Sequence, residues 1–229
     1  MRKQKIASGS IYHVYNRGVE KRLLFLSDQD YNRFIHNLAV FNNIKPALNS
    51  GRESKISIGK KGIKSIKQSK PLVDILAFCL MPNHFHLLLR QKEDGGISKF
   101  MNKIGVGYAN YFNLKYQRVG PLFQGKFKSV LVNNESQFLY IPHYIHLNPL
   151  DIIKPNWREN GIKKTKEVID FLDSFKWSSY RDYIGKLNFI FLNKNIIYEL
   201  YNGAEGYAND FKEFLNDIEL STIKDLLID

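Results

Sequence analysis

The sequence predicts an α+β fold in which helices pack on an antiparallel sheet. Apolar residues make up 44% of the 229 residues, which is enough for a buried core in a chain of this length. Strand-like and helix-like runs follow one another as strand, helix, hairpin, helix, strand and helix over the first 150 residues. This order is typical of a sheet with helices on its surface.

The first strand and helix are marked by composition and by a capping pattern. Residues 11–18 are rich in β-branched and aromatic side chains and end at Gly18. Ser27 and Asp30 form a capping-box pattern, after which apolar residues recur at helical spacing. We therefore predict a strand over 11–18 and a helix from Asp28 to Phe41.

Two apolar runs, 73–81 and 84–91, are joined by a Pro-Asn turn and predict a hairpin in the centre of the sheet. Residues 97–117 place their apolar side chains on one helical face, and 120–132 read as a returning strand.

A third helix is predicted over 135–148, with Asn134 as its cap. Pro142 lies inside it and is expected to kink or restart the helix, and Pro149 is expected to end it. Short helices should follow, so we divide the chain into a domain over 1–150 and a mostly helical extension over 151–229.

Charge is distributed unevenly along the chain. The net charge is +12, but Lys45–Lys70 alone holds eight basic residues and one acidic residue, whereas Glu199–Asp229 holds eight acidic and two basic ones. The basic stretch lies in a Gly/Ser/Lys-rich insertion over about 43–70, which is either a surface insertion or an electrostatic arm. A basic chain rich in aromatics suits a nucleic-acid partner, although a merely soluble basic protein has the same composition.

Several classes of protein are disfavoured. Cys79 is the lone cysteine, so neither an internal disulfide nor a cysteine zinc site is expected. The basic N-terminal residues lack the apolar run of a signal peptide, and no stretch approaches a membrane span. We expect a cytoplasmic, nucleoid-associated protein without a membrane partner.

His84 and His86 are the first candidate site residues. In a strand they share one face while Phe85 points to the other, so two imidazoles could bind one divalent ion. The alternative is two half-exposed strand histidines that bond to their neighbours.

Tyr144 and Asn148 are the second pair, four residues apart on one helical face. A phenolate is a competent nucleophile and an amide oxygen can bind a hard metal, although a simply packed helix fits equally well. His143 and His146 project from other faces and are interpreted as structural or DNA-facing. Further candidate phosphate contacts are the basic residues Arg17, Lys21, Arg22, Arg118, Lys126 and Lys128.

Several segments together resemble one family. MPNHFHLLL is similar to the histidine motif of the HUH single-strand nucleases. Five segments follow the order seen in REP-associated tyrosine transposases, relatives of the single-strand transposases of small insertion sequences: YHVYNRGVEKRLLF with DYNRF, MPNHFHLLLR, YFNLKYQRVGPLFQGKFKS, YIHLNPL and WSSYRDYIG. The resemblance covers about 11–185.

The resemblance implies a ferredoxin-like HUH domain. It implies Mg²⁺ or Mn²⁺ on His84 and His86, Tyr144 as the nucleophile and Asn148 in the third-ligand position. Its implied substrate is single-stranded DNA with a hairpin, REP-like or an inverted repeat, cleaved to a 5′-phosphotyrosine and a free 3′-hydroxyl in DNA transposition and recombination.

Some questions stay open at this point. The alternatives to this enzyme are a non-catalytic protein that binds DNA hairpins and a metal-dependent hydrolase that uses water. One nucleophilic tyrosine per chain is compatible with a monomer or a homodimer.

Overall fold

The computed structural model describes residues 6–45, 70–162 and 165–217. Within these ranges a four-stranded antiparallel sheet carries helices on both faces. The first elements in chain order are β1 (Ile11–Arg17), α1 (Asp28–Phe41), β2 (Val73–Met81), β3 (His84–Gln91), α2 (Gly96–Lys115), β4 (Lys128–Val132) and α3 (Glu135–Leu147).

The strand order of the sheet is β2-β3-β1-β4, and every neighbouring pair is antiparallel. The chain order β1-α1-β2-β3-α2-β4 combined with this strand order is the ferredoxin-like arrangement. The predicted α+β class and its ferredoxin-like architecture are confirmed. Strands β1 and β3 lie side by side in the middle, so residues of both are buried.

One face of the sheet packs against α1 and α2. Phe34 of α1 and Phe85 of β3 meet there with ring centroids 5.0 Å apart. Gly107 of α2 faces α1, and a Cβ at this position would lie 2.4 Å from the Phe41 ring. A glycine is therefore required at this point for the two helices to approach this closely.

The start of α1 is tied to the end of α2 through the buried carboxylate of Asp30. It accepts the backbone N–H of Ser27 at 3.0 Å, Lys115 Nζ at 2.6 Å and the Tyr116 hydroxyl at 2.7 Å. Burial alone would raise the pKa of Asp30, but hydrogen bonds from Lys115, Tyr116, the Leu26 backbone and Tyr111 outweigh burial and lower it. The predicted start of the helix thus has a tertiary role as well as a local one.

The opposite face of the sheet carries α3 and the helices that follow it. Leu76 and Leu88 from the sheet pack in one core with Tyr144 of α3 and with Tyr183 and Phe211 from later helices. The C-terminal helices therefore build the second layer of the fold. They are α4 (Leu150–Ile153), α5 (Trp157–Asn160), α6 (Thr165–Ser174), α7 (Tyr180–Tyr183), α8 (Asn195–Tyr201) and α9 (Gly203–Asp217).

Strand β2 lies at an edge of the sheet, so the prediction that both hairpin strands are central was wrong for β2. All nine of its residues are nevertheless buried, because later chain covers the edge. Leu80 N–H donates to Trp177 O at 2.8 Å, and Ser179 N–H donates to Phe78 O at 3.0 Å. This cover explains why β2 has the apolar composition of a central strand.

The predicted start of the last strand was wrong. This strand begins only at Lys128, because Gly120 and Gly125 both have φ of +94° and hold the preceding segment in an irregular path. At Pro142 the prediction was a kink or a restart, and a restart is excluded because Glu135–Leu147 is one continuous helix. Burial on the sheet offsets the one backbone hydrogen bond that proline removes.

Most of the basic insertion predicted over about 43–70 lies outside the described residues, as does the part of the acidic tail beyond Asp217. None of the helices in the described ranges is both long enough and apolar enough to cross a membrane.

Candidate active site

His84 and His86 lie on the face of β3 that turns toward α3. Their ring centroids are 5.0 Å apart. Phe85 points to the other face, where it is buried in the core under α1 and α2. The strand alternation expected from the sequence therefore places both imidazoles side by side. His84 is half-buried and His86 is fully buried.

The turn before β3 orients His84. Asn83 Oδ1 lies 2.7 Å from His84 Nδ1, and Asn83 Nδ2 donates to the backbone oxygen of Lys21 at 3.4 Å. An amide oxygen can only accept, so the proton of a neutral His84 ring lies on Nδ1 and the lone pair on Nε2. Sequence reasoning treated Asn83 only as turn material. Its position directly before the first histidine was the available signal.

A third histidine, His13 of β1, bonds to His86. His13 Nε2 lies 2.9 Å from His86 Nδ1, and both side chains are fully buried. Burial lowers the pKa of His13 to about 3. Burial, followed by the neighbouring His13, His84 and Arg158, lowers the pKa of His86 well below its usual range. His86 is therefore neutral at physiological pH, as a metal ligand must be.

Tyr144 comes from α3 and meets the histidines edge to face. Its ring centroid is 5.9 Å from that of His86 and 5.8 Å from that of His13. The Tyr144 side chain is only 1% exposed. Tyr140, one turn earlier, stacks on Tyr144 at 6.1 Å, and burial raises the pKa of Tyr140 to about 12.

Asn148 caps the end of α3, four residues after Tyr144. Its Nδ2 donates to the backbone oxygen of Tyr144 at 2.8 Å, and its Oδ1 lies 3.4 Å from Arg158 Nη2. The side chain is fully buried. The predicted pair is thus in contact, and the amide oxygen is turned toward a guanidinium.

Arg158 of α5 brings a positive charge to the site. Its guanidinium lies 5.8 Å from the centroid of the Tyr144 ring and 4.7 Å from that of Trp157. Asp151 forms an ion pair with Arg158 and also accepts Trp157 Nε1 at 2.6 Å. Sequence reasoning missed Arg158, because only the fold brings this short helix over the end of α3.

His143 and His146 belong to a buried hydrogen-bond chain behind Tyr144. An ionised Asp210 can only accept, so His143 Nε2 donates to it at 2.5 Å, and His143 Nδ1 accepts from the Tyr207 hydroxyl at 3.0 Å. The Tyr207 oxygen then accepts from His146 Nδ1 at 2.7 Å, and His146 Nε2 accepts from Ser179 Oγ at 2.7 Å. All four ring nitrogens are used, so both histidines are structural.

An open cavity of about 400 Å³ lies beside His84. Tyr15 of β1 contributes to it and stacks near His86, with ring centroids 5.9 Å apart. Four of the six predicted phosphate contacts line the cavity together with amide side chains. The lining residues of this kind are Arg17, Lys21, Lys126 and Lys128, with Asn16, Asn83 and Gln124.

The other two predicted contacts lie elsewhere. Arg118 lies beyond the end of α2, and its Nη1 donates to Asn113 Oδ1 of that helix at 2.9 Å. Arg22 follows the 3-10 turn Val19–Lys21 and is half-buried, outside the described lining of the cavity. The sequence therefore identified four basic residues that line the cavity, but it did not distinguish them from two basic residues outside it.

The histidine pair has the donor chemistry for a divalent ion. His86 Nε2 is buried and has no hydrogen-bond partner within the described residues, as expected of an atom reserved for a ligand. No group of three or more His, Cys, Asp or Glu side chains in those ranges is arranged to hold a metal. An ion on His84 and His86 would therefore complete its shell with amide, water or phosphate oxygens.

The fold and the site define a class of protein: a ferredoxin-like domain that places two strand histidines beside a tyrosine on a facing helix. The sequence narrows this class. A family model described as "Transposase IS200 like" matches residues 33–148, just over half of the chain. The protein belongs to this IS200-like transposase family.

Comparison with solved structures finds a REP-associated tyrosine transposase bound to a REP hairpin. The two are 15% identical, the match covers 84% of this chain and 90% of that one, and the TM-score is 0.49. No curated protein matches the sequence. The family assignment therefore rests on the sequence match over residues 33–148.

Proposed function

We propose that this transposase cleaves and rejoins single-stranded DNA that carries a hairpin, with Tyr144 as the nucleophile. The observation that carries the proposal is the edge-to-face contact of Tyr144 with His86, at a centroid distance of 5.9 Å, beside a cation-lined cavity. A tyrosine hydroxyl, neutral imidazoles and phosphate-binding cations are the groups that covalent strand cleavage needs.

His84 and His86 would hold Mg²⁺ or Mn²⁺, with Asn148 as a further oxygen ligand. Such an ion would offset the negative charge that develops on the scissile phosphate. Asn148 Oδ1 already faces Arg158, so the guanidinium and a cation would share or exchange this oxygen. The two histidines are therefore the main ligands in this proposal, and Asn148 is an additional one.

In the proposed reaction the Tyr144 oxygen bonds to phosphorus as the bond to the 3′-oxygen breaks. The phenol loses a proton and the leaving 3′-oxygen gains one, which gives a 5′-phosphotyrosine and a free 3′-hydroxyl. The covalent bond keeps the phosphodiester energy, so another 3′-hydroxyl can reverse the step and rejoin strands. Two cleavages need two turnovers in a monomer or two chains in a homodimer.

The buried state of Tyr144 requires that DNA binding uncover it. Arg158 lies over the Tyr144 ring, and a guanidinium is well suited to a phosphate oxygen. When the scissile phosphate binds, the Arg158 guanidinium would leave the Tyr144 ring and bind the phosphate instead. Arg158 would then offset charge on the phosphate at the point where Tyr144 attacks.

The cavity beside His84 would hold the strand next to the cleavage point. Its lysines and its arginine can bind DNA phosphates, and Tyr15 has a partly buried ring on which a base can stack. The hairpin itself is implied by the motif order shared with REP-associated tyrosine transposases.

The test is a covalent protein–DNA adduct on hairpin-bearing single-stranded oligonucleotides. An adduct that survives denaturation supports strand cleavage by a tyrosine. Cleavage without an adduct would support a hydrolase that uses water, and binding without cleavage would support a non-catalytic hairpin-binding protein.

A further inference from the structure

We propose that His13 is a positioning residue, which holds His86 in the one tautomer that can bind a divalent cation. This inference rests on the proposed function, because it concerns the same metal. It assigns a role to a buried residue of β1 for which packing alone gives no reason.

The geometry is a direct hydrogen bond between two neutral rings. In the sheet register Tyr15 pairs with His86 and His13 pairs with Leu88, so His13 and His86 are diagonal neighbours on one face. Their Nε2 and Nδ1 atoms are 2.9 Å apart, and the rings are within 14° of parallel. Both rings are fully buried, which disfavours a charge on either.

A single proton lies between the two rings, so two arrangements are possible. If His13 Nε2 donates, the proton of His86 is on Nε2, where it blocks a metal. If His86 Nδ1 donates, its Nε2 carries a lone pair and His13 is the acceptor. Only the second arrangement makes His86 a ligand.

The unpartnered atoms fit both arrangements, and they show where a cation would select one of them. His13 Nδ1 and His86 Nε2 are both buried without a hydrogen-bond partner within the described residues. Either arrangement alone leaves one buried N–H and one lone pair unused. A cation on His86 Nε2 uses the lone pair, and it favours the arrangement in which His13 accepts. An acceptor behind a ligating imidazole also raises the basicity of that ligand.

The first test measures metal binding without DNA. Full-length wild type, His13→Phe and His13→Gln would be titrated with Mn²⁺ and followed by electron paramagnetic resonance. His13→Phe keeps a ring but loses the acceptor, and its Mn²⁺ affinity should fall by about 10- to 100-fold. His13→Gln offers an amide oxygen as acceptor and should stay within a few-fold of wild type.

The second test reads the tautomer directly. Nitrogen-15 NMR of Mg²⁺-loaded wild type should show the proton of His86 on Nδ1, an unprotonated Nε2 in His13, and a coupling between these two nitrogens through the hydrogen bond. A proton on His13 Nε2 in that state would overturn the proposal. Because this measurement needs no variant, it decides the question even if His13→Phe does not fold.

The outcomes separate the two proposals. If wild type binds neither Mn²⁺ nor Mg²⁺, the metal role in the proposed function fails, and the inference fails with it. If wild type binds Mn²⁺ and a folded His13→Phe binds it equally tightly, the metal role stands and the role of His13 is wrong.

Discussion

Tyr144 and His86 meet edge to face across the gap between α3 and β3, with ring centroids 5.9 Å apart and both side chains buried. One residue belongs to a helix and the other to a central strand, so their contact depends on how α3 lies on the sheet. The hydrogen-bond chain through His143 and His146 ties the same helix to α9. The C-terminal helices thus fix the position of the proposed nucleophile.

Metal removal should abolish cleavage. In EDTA the protein should form no adduct, and Mn²⁺ should restore it. His86→Ala should lower cleavage by at least about 100-fold, since loss of even an outer partner of a metal ligand costs about 10- to 100-fold. His36→Gln changes a buried histidine of α1 and serves as the control. Undiminished cleavage in EDTA, or by His86→Ala, would show that cleavage does not need a metal at this site.

Replacing Arg158 should slow the chemistry more than it weakens DNA binding. Arg158→Gln removes the charge beside Tyr144, and the adduct should form about 100-fold more slowly, the typical cost of losing one donor at a transition state. Asp151 keeps its hydrogen bond from Trp157 Nε1, so the segment should remain folded. Single-turnover rates at saturating DNA would measure this, with the exposed Lys166→Gln as control. An unchanged rate would contradict the role of Arg158.

The cavity lysines should contribute affinity through phosphate contacts. The double variant Lys126→Gln/Lys128→Gln should weaken hairpin binding and flatten its salt dependence by about 0.7 per charge removed, the value for single-stranded DNA. Binding would be measured in EDTA between low and moderate salt. Lys99→Gln removes an exposed charge from α2, outside the cavity, and should leave the slope unchanged. If wild type and both variants show equal salt dependence, the DNA does not contact these cavity lysines.

Stability should fall in acid because buried neutral histidines take up protons on unfolding. Burial, and then the nearby His143, lowers the pKa of His146 well below 6.5. Below pH 6.5 the unfolded chain therefore binds a proton that the folded chain does not, and stability is lost as pH falls. Burial raises the pKa of Asp182 to about 6, which acts in the opposite direction.

A comparison of wild type with His146→Gln isolates the contribution of His146 to this pH dependence. His146→Gln keeps hydrogen-bonding groups but cannot titrate, so its unfolding free energy should fall less steeply below pH 6.5, by up to about 1.4 kcal/mol per pH unit. Urea unfolding between pH 8 and pH 5 measures both slopes. If the unfolding free energies of the two proteins change with pH in parallel, His146 is protonated in the folded state.

Local patterns were sufficient for most elements of the first 150 residues and for the histidine pair. The capping pattern at Ser27 and the apolar spacing after it gave the bounds of α1, and period-two alternation placed His84 and His86 on one face. These features depend on residues that are close in sequence, where backbone geometry fixes the direction of side chains.

Apart from the start of β4, the errors and omissions concern tertiary structure. The edge position of β2 was hidden because residues about 100 positions later cover it. His13 and Arg158 reach the site only through strand pairing and through the packing of α5, which no local pattern encodes. His13 did leave one signal, since it is a polar residue between the aromatic Tyr12 and the apolar Val14 of β1.

The central claim is that Tyr144 becomes covalently attached to DNA. Wild type incubated with Mn²⁺ and a labelled hairpin oligonucleotide should give an adduct on denaturing electrophoresis, and peptide mapping should place the nucleotide on Tyr144. Tyr144→Phe removes one oxygen, so it should fold, bind the hairpin and form no adduct. Tyr140→Phe, which changes the tyrosine that stacks on Tyr144, should still form it. An adduct with Tyr144→Phe, or a nucleotide mapped to Tyr140, would contradict the account.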